Sequence, residues 1–210
     1  MGSAAHDLTA AIAAERTELA DLFTGLTPEQ WEAPTLCVGW RAREVVAHMS
    51  MGFRYPTGRV LWEFAKARGS LDRTTDRLAR RDAAHHTDAR LAGYLRDHAR
   101  HPWRPPVGGL AAALGHDVVH GLDVTVALGV DRRVPEDRLR IVLGTVAPRT
   151  LRFFGADLHG VRLCAEDLDW SFGTGEPLYG AAQDLLLIAY GRRLPAGRLN
   201  GVDCHRFVAA

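Results

Sequence analysis

The chain has 210 residues, enough for one large domain or for a medium domain and a small one. Hydrophobic residues make up 47% and charged residues 24%, the composition of an ordinary globular protein. The 26 Lys and Arg residues balance 25 Asp and Glu residues, and a formal charge of +1 excludes a global field that attracts nucleic acid or an anionic membrane. We expect neither as a partner.

The cysteines and the amino terminus indicate the compartment. Cys37, Cys164 and Cys204 are an odd number and lie far apart, which argues against a disulfide framework and for a reducing environment. The amino terminus lacks the basic segment and apolar core of a secretion signal, and no apolar run reaches about 18 residues. We therefore expect a cytoplasmic protein.

The amino-terminal part of the chain predicts helices joined by short loops. Residues 7–23 repeat apolar side chains at helical spacing, and Thr27 begins a capping-box pattern that starts a second helix. The following loop is expected to pack against the helices through Trp31, Leu36, Val38 and Trp40. A third helix begins at Trp40. Its buried side is marked by Val45, Val46, Met49 and Phe53.

His48 lies on the apolar side of that third helix, between Val45 and Gly52. A histidine in this position is either a hydrogen-bonded core residue or a metal ligand. It becomes a ligand candidate when a facing helix supplies further histidines.

Two arginines stand out in the next segment. Pro56 interrupts the third helix, and residues 72–100 predict a long charged helix or a pair of helices. Arg77 and Arg81 flank Leu78 toward its buried side, so they are candidates for binding a ligand carboxylate. The alternative is that both are surface arginines.

Residues 108–127 predict one helix that carries His116 and His120 four positions apart. Residues at this spacing share a helix face with Cβ atoms about 5–6 Å apart, so both imidazoles can reach one metal ion. Leu114 and Val118 belong to a neighbouring apolar stripe, which places the histidines beside the buried seam. The pair can also be ordinary surface or core histidines, and a third ligand is needed to decide.

The hydrophobic pattern of the sequence changes from helical to alternating spacing after Gly155. Before it, residues 135–154 predict a helix that Pro148 bends. Beyond it the pattern predicts two short strands, a helix and one last strand, at 161–165, 168–172, 181–190 and 202–210. The whole pattern predicts a mainly α protein with a helical domain at 1–154 and a small α+β domain at 155–210.

Three segments together resemble a known family. They are LTPEQWEAPTLCVGWRAREVVAHM, GHDVVHGLDVTVALG and VRLCAEDLDWSFGTGEPLYGAAQDLLLIAYGRR, which begin at residues 26, 115 and 161. Their order and spacing are similar to the mycothiol-dependent maleylpyruvate isomerase family, one of the DinB-like metal-binding four-helix bundles. The resemblance implies a DinB-like four-helix bundle followed by a small α+β accessory domain.

The resemblance also implies a ligand set. The family's first segment supplies a metal-binding histidine, which falls on His48. Its second segment supplies a Glu and a His four residues apart, which fall on His116 and His120. His116 therefore departs from the family's Glu, although three-histidine sites are common among DinB-like proteins.

The implied chemistry is activation of a thiol. The resemblance implies a divalent metal, zinc first with nickel or iron as alternatives, and mycothiol as cosubstrate. Three protein ligands leave an open position, and a thiol that coordinates there is deprotonated. The thiolate would add to an electrophilic small molecule, which makes the protein an isomerase or a transferase. We expect a monomer or a homodimer.

Several side chains are candidates to support this site. Trp40, Arg77 and Arg81 are candidates for the surface that binds the thiol. Asp117 and Asp123 are close enough in sequence to orient an imidazole N–H, and the alternative for each is a solvent-facing helix acid.

Three other functions stay open at the level of sequence. HDVVH resembles the zinc-protease signature, but the Asp in place of its Glu is badly placed as a general base. Cys37 precedes the His48 helix and is a possible nucleophile, although cysteines in such loops are usually inert. The third alternative is a non-catalytic bundle that binds a metal or small ligand as a sensor or partner module.

Overall fold

The structure is a computed structural model that describes residues 2–201 and 203–209. It divides into two compact units, 1–120 and 121–210. In this division residues 121–154 group with the carboxy-terminal part. This division reports compactness and does not test which parts of the chain fold independently. The domain boundary predicted after residue 154 therefore stays a prediction.

The first unit is built from helices, as the sequence predicts. They are α1 (Gly2–Thr24), α2 (Pro28–Glu32), α3 (Ala42–Arg54), α4 (Thr57–Lys66), α5 (Leu71–His85), α6 (Asp88–Asp97) and α7 (Gly109–Ala127), the last of which continues into the second unit. α1 packs against α6, and α3 packs against both α5 and α6. The fully buried side chains of this core include Leu19, Phe23, Val45, Met49, Leu78, Leu91, Leu95 and Leu114.

Local sequence signals determine several helix ends. The capping box at Thr27 is present: its hydroxyl accepts from the Gln30 amide at 3.3 Å, and the Gln30 side chain accepts from the Thr27 amide at 2.9 Å. The predicted charged segment forms two helices because Thr87 caps α6 by accepting from the Arg90 amide. Trp31 is buried, as expected of this segment, but the expected packing of Val38 is wrong, since this residue is 99% exposed.

The second unit contains the predicted helices and a small sheet. After α7 come α8 (Glu136–Leu143), α9 (Pro148–Phe154), β1 (Val161–Ala165), β2 (Ser171–Gly173), β3 (Glu176–Gly180), α10 (Ala182–Ala189), β4 (Leu199–Gly201) and a 3-10 turn (Cys204–Phe207). The expected bend at Pro148 is a break between α8 and α9, with Pro148 in the first turn of α9.

The sheet has the strand order β2-β1-β3-β4. β1 runs antiparallel to β2 and parallel to β3, and β3 runs antiparallel to β4. The sequence pattern missed β3 because Pro177 lies inside it. Pro177 is tolerated because it lies on the part of β3 that pairs with β1 alone. The last strand predicted at 202–210 is wrong for residues 204–207, which form the 3-10 turn; the strand lies earlier, at Leu199–Gly201. Val202 and Ala210 lie outside the described residues.

Two general expectations can be compared with this fold. Cys37, Cys164 and Cys204 are all free thiols, as their number and spacing predict. Among the helices that the structure describes, none combines the length and apolar character needed to cross a bilayer.

Candidate metal centre

Three histidines from two helices converge in the first unit. His48 comes from α3, and His116 and His120 come from successive turns of α7. Nε2 of His116 lies 3.3 Å from Nε2 of His48. One ring nitrogen from each of the three residues lies within 4.8 Å of the other two. The structure thus brings together all three residues that the sequence selected as ligands.

The spacing of these nitrogens can be compared with that of a metal site. Two nitrogens that each lie about 2.0–2.1 Å from one tetrahedral ion are about 3.3 Å apart. The distance between His48 and His116 matches this value. The same distance also permits a direct hydrogen bond between the two rings. The nearby ring nitrogen of His120 is therefore the observation that favours a metal site over a hydrogen-bonded histidine pair. Three neutral imidazoles suit zinc, nickel or iron, so the residues present fit such an ion.

The buried carboxylate of Asp117 interacts with the ring nitrogen of His116 that faces away from His48. Nδ1 of His116 lies 3.0 Å from Oδ1 of Asp117, whose side chain is fully buried. Because a carboxylate only accepts, this contact places the imidazole proton on Nδ1 and leaves the lone pair of Nε2 facing His48. Asp117 is therefore one of the two predicted orienting acids, and the solvent-facing alternative is wrong for it.

Arg16 of α1 holds the other oxygen of Asp117. Its Nε donates to Oδ2 at 2.8 Å, and both side chains are fully buried. Its Nη1 donates to the carbonyl of His101 at 2.9 Å and to the carbonyls of His98 and Ala99 at 3.4 Å. The guanidinium is thus fixed by the turn that follows α6, and a connected path of hydrogen bonds runs from that turn to His116.

Sequence reasoning missed Arg16 because its partner lies 101 positions away. A signal was nevertheless present. Ile12, Arg16, Leu19 and Phe23 fall at helical spacing on one face of α1, so an arginine interrupts an apolar stripe. A charged residue in such a stripe requires a buried partner.

Two tryptophan rings lie beside the histidines. The Trp40 ring is 5.1 Å from the His48 ring, and the Trp103 ring is 5.2 Å from the His116 ring. Trp103 comes from the proline-rich connector before α7 and was not selected from the sequence. It packs directly on Gly52 of α3, where a Cβ atom would lie 2.0 Å from the indole ring. Gly52 is therefore required for Trp103 to approach the site.

Cys37 also lies against this centre. Its sulfur is 3.7 Å from Nδ1 of His120, and the residue is half-buried in the loop before α3. The thiol therefore lies beside a candidate ligand. Whether it acts as a nucleophile or as a packing residue stays a prediction.

Asp123, the other predicted orienting acid, belongs to the second unit, as does its partner Arg192. Its two oxygens accept from Nε and Nη2 of Arg192 at 2.9 and 2.8 Å, and its side chain is fully buried. The solvent-facing alternative is wrong for this residue too. An orienting role for Asp123 stays a prediction.

Arg77 and Arg81 lie in a polar cluster between α3, α4 and α5. Both guanidinium groups contact the carboxylate of Glu63, and Nη2 of Arg81 also donates to the hydroxyl of Tyr55 at 2.6 Å. Burial lowers the pKa of Arg81, but Tyr55 and Asp82 outweigh burial, so this pKa is raised. Their predicted contact with a thiol stays a prediction.

The same cluster contains a second buried aspartate, Asp82. Its oxygens accept from the Tyr55 hydroxyl at 2.6 and 2.7 Å, and Oδ2 also accepts from Nη2 of Arg54. Burial raises the pKa of Asp82, but the hydrogen bonds from Tyr55 and Arg54 outweigh burial and lower it overall. Burial and Asp82 raise the pKa of Tyr55.

Comparison with known proteins gives one family and one fold. A family model described as the mycothiol maleylpyruvate isomerase N-terminal domain matches residues 12–125, more than half of the chain. No curated protein sequence matches.

Two solved structures share the architecture. A crystal structure of a mycothiol-dependent maleylpyruvate isomerase superposes with a TM-score of 0.56 at 12% identity, over 94% of this chain and 92% of that one. A mutant of such an isomerase, with one histidine replaced by alanine, gives a TM-score of 0.55 at 11% identity over the same shares. At these identities the likeness shows a shared fold.

Proposed function

Because this chain belongs to the family of the mycothiol maleylpyruvate isomerase N-terminal domain, we propose that it is a divalent-metal-dependent enzyme that activates mycothiol for addition to an electrophilic small molecule. The convergence of His48, His116 and His120 is the observation that carries this proposal. The outcome of the addition is either isomerisation, when the thiol leaves again, or a stable S-conjugate. Zinc is the expected ion, with nickel and iron as alternatives.

The ligand set suits this chemistry. When bound, the ion would lower the pKa of a thiol at its open coordination position. His48, His116 and His120 contribute no negative charge, whereas a Glu ligand in place of His116 would cancel one positive charge. The three imidazoles therefore favour the ionised form of the thiol more strongly than a set with one carboxylate does.

The buried pair behind His116 fixes the geometry of the site. Asp117 keeps the proton of His116 on Nδ1, so Nε2 is available as a ligand without rearrangement. Arg16 balances the charge of Asp117 and prevents the carboxylate from turning into the site. The carboxylate of Asp117 thus contacts Nδ1 of His116 and is not one of the three proposed metal ligands.

Two tryptophan rings lie beside the three histidines. Trp40 lies beside His48 and is the predicted thiol contact whose position supports the proposal. Trp103 forms a second apolar wall beside His116. Such rings exclude water and strengthen electrostatic interactions between the remaining groups. The three free cysteines fit a reducing compartment, so we propose the cytoplasm.

The test is a turnover assay of metal-loaded protein with mycothiol and a panel of electrophiles that includes maleylpyruvate. Thiol consumption reports conjugation, and the spectrum of the electrophile reports isomerisation. We expect one of the two signals with mycothiol, and none without a thiol or with the His48→Ala variant. Wild-type protein that holds the metal but gives neither signal would instead be a non-catalytic binding module.

The His116→Glu variant tests the third ligand separately. This variant restores the ligand set of the family, so we expect it to retain metal, measured by elemental analysis. Complete loss of metal from this variant would remove residue 116 from the ligand set.

A further inference from the structure

The connector between α6 and α7 brings Trp103 to the histidine centre. The indole ring lies 5.2 Å from the His116 ring and packs on Gly52 of α3. The position of this ring therefore depends on how the start of the connector is held. Two hydrogen bonds hold it, one on each side of Pro102.

The first of these bonds comes from α1. Nη1 of Arg16 donates to the carbonyl of His101 at 2.9 Å, and the Arg16 side chain is fully buried. The second bond is made by the His101 ring, whose Nδ1 accepts from the backbone amide of Trp103 at 3.1 Å. Pro102 lies between them with a fixed φ and no amide hydrogen. Together the two bonds fix the backbone that leads to the Trp103 ring.

The second bond requires neutral His101. A backbone amide only donates, so Nδ1 of His101 carries a lone pair and the ring proton lies on Nε2. A protonated imidazole has a hydrogen on both nitrogens and cannot accept. His98 differs, because its Nδ1 lies 3.0 Å from the carbonyl of Tyr94 and donates to it in either charge state. Protonation therefore breaks the bond at His101 and preserves the one at His98.

The surroundings of His101 oppose its protonation. Arg16 approaches from α1, His98 lies at the end of α6, and Phe53 of α3 adds an uncharged ring 5.8 Å from the His101 ring. Partial burial of the ring, then Arg16 and His98, lower the pKa of His101. Asp117 of α7 pairs with Arg16, and none of the described carboxylates forms an ion pair with His101. A proton on His101 thus adds a positive charge beside Arg16.

We propose that His101 is a positioning residue that holds Trp103 beside His116 and releases it when the imidazole takes up a proton. The residue is exposed, so solvent protons reach its ring. The bond is complete above the unfolded pKa of about 6.5 and is lost as the pH falls through the lower folded pKa. Release of Trp103 opens one wall of the histidine centre to water. The effect of that opening on thiol chemistry rests on the proposed function, whereas the bond and its loss do not.

The test is two-dimensional NMR of the full chain between about pH 5 and pH 8, in buffer with a chelator and no thiol. Protection of the Trp103 amide from hydrogen exchange reports the bond. In wild type we expect constant protection above about pH 7 and a loss of about tenfold per pH unit below the pKa of His101. The indole N–H resonance of Trp103 should shift with the same midpoint, because the ring moves away from His116.

Three variants separate positioning from a general structural effect. In His101→Asn the new side chain can accept from the amide two residues on and carries no charge, so protection should stay within about twofold over the whole range. His101→Ala has no acceptor and should lack protection at every pH. His85→Asn is the matched control, because exposed His85 donates from Nδ1 to the carbonyl of Arg81 at 2.7 Å, and the wild-type profile should be unchanged.

Protection of the Trp103 amide that does not change with pH in wild type would overturn the proposal, as would an equal pH dependence in wild type and His101→Asn. An indole shift that persists in His101→Asn would report titration of His116 and show that Trp103 is not released. Because no metal or thiol is present, these results are independent of whether the protein turns over mycothiol.

Discussion

Two buried aspartates of the first unit, Asp117 and Asp82, both pair with arginine, but they differ in their other partners. Asp117 divides its oxygens between Arg16 and His116. Asp82 gives both oxygens to Tyr55, with Arg54 as its ion-pair partner. The first network ends at a candidate metal ligand, whereas the second ends at groups that join α3 to α5.

The comparison shows how to distinguish a structural ion pair from one that serves a site. A buried pair usually contributes little net stability, yet removal of one partner is costly because the other charge remains buried. Both networks should therefore matter for stability. Only the Asp117 network should affect metal binding.

The largest expected effect is that of Arg16→Leu. This change leaves Asp117 buried without its cation and removes the guanidinium that donates hydrogen bonds to three backbone carbonyl oxygens. The free energy of unfolding should therefore fall by about 3–5 kcal/mol. Urea denaturation measures it. The control is Arg96→Leu, which breaks the exposed pair with Asp21 and should cost less than about 1 kcal/mol. Equal losses in the two variants would contradict the account of Arg16.

Asp82→Asn should be the next largest change. It removes the charge that Arg54 and Tyr55 share, at a cost of about 1.5–3 kcal/mol in the free energy of unfolding, with metal affinity unchanged. Because the pKa of Asp82 is lowered in the folded state, its contribution is complete above the unfolded pKa of about 3.9 and is lost as the pH falls toward the folded pKa. The stability gap between wild type and variant should therefore narrow below about pH 4. A stability difference that widens as the pH falls would show that the pKa of Asp82 is not lowered in the folded state.

Asp117→Asn should alter metal binding itself. An amide no longer fixes the proton of His116 on Nδ1 as strongly, so metal affinity should fall about 10- to 100-fold. Competition with a chromophoric chelator measures this change, with Asp82→Asn as the matched control. If both variants bind metal as tightly as wild type does, Asp117 has no role in orienting His116.

Trp40→Phe should have the smallest effect of the four. The Trp40 indole nitrogen donates to Asp76 at 2.7 Å, and phenylalanine loses this bond while it keeps a ring beside His48. Thermal or urea unfolding should show a loss of about 0.5–1.5 kcal/mol. Metal affinity should stay within about twofold of wild type, and a larger loss would give Trp40 a direct role in the site.

The histidine centre was predictable because local spacing determines much of it. His116 and His120 lie four positions apart on one predicted helix, and His48 lies on the apolar side of another. The sequence also marked the buried residues of α3 correctly, since Val45 and Met49 are fully buried. Such residues can be identified from the sequence because their positions follow the helical repeat within a single helix.

The remaining features depend on contacts between distant parts of the chain. Arg16 reaches Asp117 from α1, and Trp103 reaches His116 because Gly52 leaves room for its ring. No local pattern contains such information, because each contact is fixed by how the helices pack.

The central claim is that His48, His116 and His120 bind one metal ion. It is tested most directly by elemental analysis of protein purified without a chelator or a histidine tag, beside the His48→Ala variant. We predict about one transition-metal ion per wild-type chain and none in the variant. Wild-type protein that holds no metal even after reconstitution, or equal metal in both proteins, would contradict the claim.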